Sequence, residues 1–201
     1  MKKTLEEHAE RFSNLAAEYD DEQSSPEYRA CADLVVAHAD PGPDETVLDL
    51  GTGTGAIALA LAADAGRVLG RDISDGMLDE ARRKADDRNR SNVAFGEGRF
   101  RDPNVDEPVD LVVSNFAMHH LSDAEKREAI EAIADLNPRR FVLGDVTFFD
   151  GKDVESGVYD PEVDDPATVG VLADALTDAG FVLTAVERVS DGVGVLVADR
   201  P

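Results

Sequence analysis

Between Thr4 and Asp20 the apolar positions Leu5, Phe12, Leu15, Ala16 and Tyr19 recur at roughly helical spacing. The run Asp20-Asp21-Glu22-Gln23-Ser24-Ser25-Pro26 breaks that pattern. A second helix is expected from Glu27 to Ala39, with Pro26 near its first position and Tyr28, Cys31, Ala32, Val35 and Val36 as its apolar face. Pro41-Gly42-Pro43 ends it. From Thr46 onward the period alternates. Strands are expected at 46–50, 67–72, 92–95, 109–114 and 139–146, and helices at 54–64, 75–88, 122–136 and 166–180, with a Gly/Arg/Pro-containing loop over 96–108. Such alternation predicts an α/β fold with a parallel sheet covered by helices on both faces. The last two strands, 181–188 and 193–199, have only Val189-Ser190-Asp191-Gly192 between them, so they are expected to pair antiparallel. One domain accounts for the chain, with 1–43 as an N-terminal helical cap and 44–201 as the core.

Composition changes this picture in one respect. There are 43 acidic residues, mostly Asp, against 20 Lys and Arg, for a net charge of −23. The acids run along the whole chain, which reads as adaptation to salt, as in halophiles, and not as an interaction tail. The charge argues against a nucleic-acid partner, since phosphates are bound through Lys and Arg. Self-repulsion relieved by screening predicts that the melting temperature rises from low to molar KCl, and a flat or falling melting curve would contradict it. No run of eighteen apolar residues is present to span a membrane. The N-terminal Met1-Lys2-Lys3-Thr4 lacks the apolar segment of a signal peptide, and the single Cys31 forms no internal disulfide. A cytoplasmic location is expected.

The candidate chemistry gathers where strand 46–50 meets its helix, in Asp49-Leu50-Gly51-Thr52-Gly53-Thr54-Gly55. Glycines at alternate positions allow a tight turn and close approach to a ligand, with the first helical N–H groups expected to point into the turn. Gly51-x-Gly53-x-x-Ala56, with Asp72 ending the next strand, also satisfies the nicotinamide-dinucleotide fingerprint. Asp49, just before the first glycine, weighs against that reading, because an anion there would face the pyrophosphate and suits a cationic group instead. A second cluster lies in Ser114-Asn115-Phe116-Ala117-Met118-His119-His120-Leu121-Ser122-Asp123, where Ser122 and Glu125 form a capping box. His119 and His120 read first as ring nitrogens bonded to nearby backbone. The sharper reading makes His119 a general base, and His8 and His38 show no ligand spacing with them, so no metal is expected.

These two stretches, with Val68 to Ser74, resemble the class I S-adenosylmethionine (SAM)-dependent methyltransferases of small-molecule type, similar to those of ubiquinone and menaquinone biosynthesis, and Asp49 suits the cationic amino and sulfonium groups of that cofactor. The resemblance implies a doubly wound, Rossmann-like, seven-stranded sheet, mostly parallel with an antiparallel last strand, and N-terminal helices serving as a lid. It implies a cofactor site of Tyr19, Asp49, Gly51, Thr52, Gly53, Gly55, Asp72, Ile73, Met77, Glu97, Gly98, Asn115 and Phe116. Within it, Asp72 would accept from the ribose hydroxyls, while Glu97 and the Gly98 N–H would meet the adenine. An acceptor pocket would be formed by Tyr28, His119, Asp145, Phe148 and Tyr159, with the long segment 146–166 contributing. The implied activity is methyl transfer to an unidentified small molecule, and oligomeric state stays open. Two alternatives remain, an NAD(P)-dependent oxidoreductase and a non-catalytic SAM-binding protein.

Overall fold

The computed structural model describes residues 5–22, 25–150, 159–160 and 163–201. Three helices come first, α1 (Leu5–Leu15), α2 (Tyr19–Glu22) and α3 (Pro26–Ala39). Strands and helices then alternate as β1 (Thr46–Leu50), α4 (Ala56–Leu61), β2 (Arg67–Asp72), α5 (Asp75–Asp87), β3 (Val93–Glu97) and β4 (Leu111–Asn115). The remainder is α6 (Asp123–Asp135), β5 (Arg140–Phe148), the two-residue β6 (Ala167–Thr168), α7 (Val169–Asp178), β7 (Val182–Arg188) and β8 (Val193–Asp199). The sheet order is β3-β2-β1-β4-β5-β8-β7, with β6 pairing the end of β5. Strands β1 to β5 are parallel, and β8 runs antiparallel to both β5 and β7. The expected sheet and its antiparallel last strand are therefore present.

Side chains alternate across the strands, so each central strand feeds two cores. Leu48, Val112, Phe141, Leu143 and Leu196 join Ile130 and Ile133 of α6 and Leu172 and Leu176 of α7 on one face. Val47, Val68, Leu111, Val113, Val142 and Val197 join Cys31 and Val35 of α3 and Ile57 and Leu61 of α4 on the other. Burying each large apolar side chain contributes about 1.5–3 kcal/mol, which holds α3, α4, α6 and α7 against the sheet.

Several boundaries differ from the expected ones for local reasons. Helix α4 starts late because Gly55, at φ +82°, takes the left-handed N-cap position. Helix α7 starts at Val169 because Ala167 and Thr168 pair with Thr147 and Phe148, after which the Thr168 side chain caps the Val171 N–H. The hydroxyl of Ser74 accepts from the Met77 N–H, and Ser122 and Glu125 form the full capping box.

The N-terminal helices divide by role. Helix α3 belongs to the sheet sandwich: Cys31, Val35 and Ala39 are fully buried, and a β-carbon on Gly144 of β5 would overlap Val35 and Cys31. Helices α1 and α2 lie over the C-terminal ends of the strands. Ser13 Oγ is 2.9 Å from Ser74 Oγ, tying α1 to the start of α5. Asp20 of α2 accepts from Thr54 Oγ1 at 2.6 Å and pairs with Lys84 of α5. No helix among the described residues is long and apolar enough to cross a membrane.

Candidate active site

Strand order reverses between β1 and β4, which opens a crevice beyond their C-terminal ends, where open α/β sheets bind ligands. The turn after β1 forms the floor of this crevice. Gly51, Gly53 and Gly55 all have positive φ (72°, 51° and 82°). At Gly51 glycine is required twice, since a β-carbon there would also overlap the Cβ of Ala117 in the turn after β4.

Several N–H groups of this turn have partners within the protein. Gly51 N and Thr52 N donate to Arg71 O at 2.9 and 3.0 Å, and Gly53 N donates to Asp72 Oδ2 at 2.8 Å. Asp49, only 1% exposed, accepts through Oδ2 from Thr52 Oγ1 at 2.7 Å and from Ala58 N at 3.1 Å. A carboxylate thus sits against the N-terminus of α4, where it takes the Ala58 N–H and would repel a diphosphate. Burial pushes the Asp49 carboxyl up to about 7 against the opposing pull of Thr52 and the Ala58 N–H. Burial also raises Asp72, whose carboxylate accepts from Gly53 N and, at 2.9 Å, from Ser74 N.

The main cavity encloses about 930 Å³ including its open mouth, and a smaller space of about 310 Å³ continues it past Tyr19, Gly51 and Gly53. The expected residues Asp72, Ile73, Met77, Gly98 and Phe116 line the first, and Tyr28, Asp49, Thr52 and Asn115 line the second. Asn115 is 7% exposed, and both atoms of its amide lack a hydrogen-bond partner among the described residues. The Tyr28 phenol lies near this amide, and burial pushes it up to about 12. Burial likewise raises the Tyr19 phenol.

Several expected residues lie elsewhere. Gly55 faces Phe95 and Ala81, where its missing side chain lets α5 and β3 close on the turn. Glu97 ends the edge strand β3 with its side chain 65% exposed and its carboxylate 3.8 Å from Arg99, outside the cavity. The Gly98 N–H donates to Asp72 O at 3.1 Å and is not turned to a ligand. Phe148 is buried, with its ring 5.7 Å from that of Tyr159, and neither lines either space. Most of the segment after Phe148 falls outside the described residues.

The histidine pair is also arranged differently from the sequence reading. Met118–His120 form a single 3-10 turn. His119 is buried and faces away from the cavity: Asp145 accepts from its backbone N at 2.9 Å and lies 2.5 Å from its Nδ1. Burial pulls this imidazole down, but Asp145 outweighs that and holds it above the usual histidine range. His120 is the ring that lines the cavity, and its Nδ1 lies 2.7 Å from Asp164 Oδ1. Burial and the neighbouring His119 push His120 down to about 4. Asp145 is thus an orienting residue behind the wall and not part of the pocket surface.

The sequence reading missed His8, Phe12, Phe100, Ala117, His120 and Leu121, together with Arg99 and Arg101 at the rim, all of which line the main cavity. His8 and Phe12 are one helical turn apart and so share a face of α1, a spacing visible in the sequence. No comparable signal marks the 99–101 loop.

Residues 47–137 match the family model described as a methyltransferase domain. An uncharacterised methyltransferase of Geobacillus is 28% identical, covering 92% of this chain and 91% of its own. Among solved structures, magnesium protoporphyrin IX methyltransferase from Synechocystis with bound S-adenosylhomocysteine (SAH) superposes with a TM-score of 0.71 at 24% identity, over 87% of this chain and 86% of that one. A protein named the [4+2]-cyclase SpnF superposes with a TM-score of 0.83 at 17% identity, over 100% and 98%.

Proposed function

We propose that this chain is a SAM-dependent methyltransferase and that it methylates a small, largely apolar molecule bound beneath the N-terminal cap, a reading supported by its similarity to methyltransferases. One observation carries the cofactor assignment: a buried carboxylate, Asp49, and a half-buried one, Asp72, lie either side of the Gly51–Gly53 turn, where they suit a cation and would repel a diphosphate. The residues fit SAM on three counts. Asp72 offers acceptors for ribose hydroxyls, Asp49 an anion for the amino-acid and sulfonium end, and the unpartnered Asn115 amide two further groups for the same end. Ile73 and Met77 give the adenine an apolar wall. Bound SAM supplies an electrophilic methyl carried on a sulfonium. The chain's part is to fix that group and the acceptor in line and to exclude water.

His8, Phe12 and His120 form the end of the cavity left for the acceptor, with rings 5.4 Å apart from His120 to each of the other two. Among neighbours with this fold are enzymes named for geranyl diphosphate and magnesium protoporphyrin IX, both small-molecule acceptors. Incubation with methyl-labelled SAM and fractionated cell extract tests the reading. Label should appear in a low-mass, solvent-extractable product, and label confined to protein or nucleic acid would contradict it. Because the fold also carries a protein named as a cyclase, fold likeness alone does not establish transfer, and the labelling experiment decides it.

The raised Asp49 pKa makes SAM binding proton-linked. A carboxyl that is partly protonated near pH 7 must ionise to face a cation, so binding should release a proton below about pH 7. SAM affinity should therefore rise with pH up to about 7 and then level off. Calorimetry in buffers of different ionisation enthalpy reads the proton directly. The Asp49→Asn variant should bind more weakly and lose the pH dependence; an unchanged profile would remove Asp49 from the site.

A further inference from the structure

His119, His120 and Asp164 each present one ligand atom within 4.8 Å of the others. Asp164 Oδ1 lies 2.7 Å from His120 Nδ1 and 3.9 Å from His119 Nε2. Adjacent residues in a chain seldom aim at one point, yet here the 3-10 turn brings the two imidazole centroids to 4.1 Å and turns both toward the same carboxylate oxygen. We propose that these three side chains form a binding site for a divalent transition-metal ion of the zinc class, opening into the acceptor end of the cavity through His120.

The distances suit such an ion. Ligand bonds of about 2.0–2.2 Å place neighbouring donor atoms about 3.0–3.5 Å apart, between the two separations observed. The surroundings also match. His119 Nδ1 is held by the buried Asp145, which fixes the ring and turns Nε2 toward Asp164, the carboxylate–histidine–metal arrangement of known sites. Asp164 is fixed in turn, since its Oδ2 accepts from Asp160 N at 2.7 Å and leaves Oδ1 facing the rings. The nearby buried ammonium of Lys126 is occupied elsewhere, donating to the carbonyls of Leu121 and Asp165. Two imidazoles with one carboxylate favour zinc, iron, cobalt or nickel over magnesium or calcium. Three protein ligands leave a coordination position open, as catalytic metal sites do. The ion's role there rests on the methyltransferase reading: an acceptor hydroxyl bound at the open position would lose its proton to solvent more readily.

Metal-stripped full-length protein in molar KCl, titrated with Co²⁺ and with Zn²⁺, tests the site. Wild type should take up one ion per chain, with the cobalt form showing the visible absorption of a nitrogen-ligated, low-coordinate ion. Asp164→Ala should abolish that spectrum and His120→Ala should weaken binding by more than tenfold. Asp145→Asn, which alters the support of the His119 ring and backbone behind the site and none of the three ligand atoms, should weaken it about 10- to 100-fold. Asp164→Ala loses the bonds to His120 and Asp160 N and should melt at a lower temperature in EDTA, but cooperatively and with wild-type SAM affinity, which shows that the fold and the cofactor site are intact. No stoichiometric uptake by wild type, or uptake unchanged in Asp164→Ala (ions held by the acidic surface only), would overturn the proposal. SAM binding measured on the same samples separates the two readings, because metal binding can fail while SAM binds, and the reverse.

Discussion

Replacing Asp72 with alanine should lower the affinity for SAM about a hundredfold, or roughly 2.7 kcal/mol at 25 °C. The size follows from what the carboxylate does. It would accept from both ribose hydroxyls, and hydrogen bonds to a charged acceptor contribute about 1.5–3 kcal/mol each. It also holds the Gly53 and Ser74 N–H groups, so part of the loss will come from a loosened turn. Asp72→Asn keeps one carbonyl acceptor and should fall between wild type and alanine. Calorimetric titration measures both, and an undiminished affinity in Asp72→Ala would remove the ribose role.

Gly51→Ala should produce the largest loss of stability among substitutions in the turn. Alanine at φ +72° costs about 1–2 kcal/mol in backbone strain, and overlap with Ala117 adds about 1–3 kcal/mol. Together these correspond to a fall in melting temperature of about 4–20 °C for a domain of this size. Gly53→Ala is the control. Its φ is also positive, at +51°, but the nearest heavy atom to an added β-carbon is Tyr19 Cε1 at 3.9 Å, an ordinary contact. It should lose only the strain cost, about 1–2 kcal/mol. Equal losses in the two variants would show that contact between the β1 and β4 turns is unimportant.

What the sequence made legible, and what it did not, follows a physical division. Information carried locally was readable. The Gly51-Thr52-Gly53-Thr54-Gly55 turn, the Ser122–Glu125 capping box and the short link between β7 and β8 each depend on residues a few positions apart. The switch in apolar period at Thr46 was readable too, because a two-faced sheet needs nearly continuous apolar strands. Partnerships across the fold were not readable. That Asp49 would accept from the Ala58 N–H of α4 depends on the backbone path of residues 50–58. Which of two adjacent histidines faces the cavity depends on Asp145 and Asp164, distant in sequence and brought together by β5 and by the chain beyond it. Tyr28, Cys31 and Val35 form the same stripe whether α3 caps a cavity or covers a sheet, and only its packing on Gly144 distinguishes the two. Glu97 was assigned by its place after strand 3, and the sheet order, which makes β3 the edge, points its side chain to solvent.

The central claim is that the crevice beyond β1 and β4 holds a cationic nucleoside cofactor and not a dinucleotide. Calorimetric titration of the protein in molar KCl with SAM, SAH and NADH tests it most directly. The account predicts one SAM or SAH per chain and no heat with NADH. Stoichiometric binding of NADH with none of SAM or SAH would contradict it.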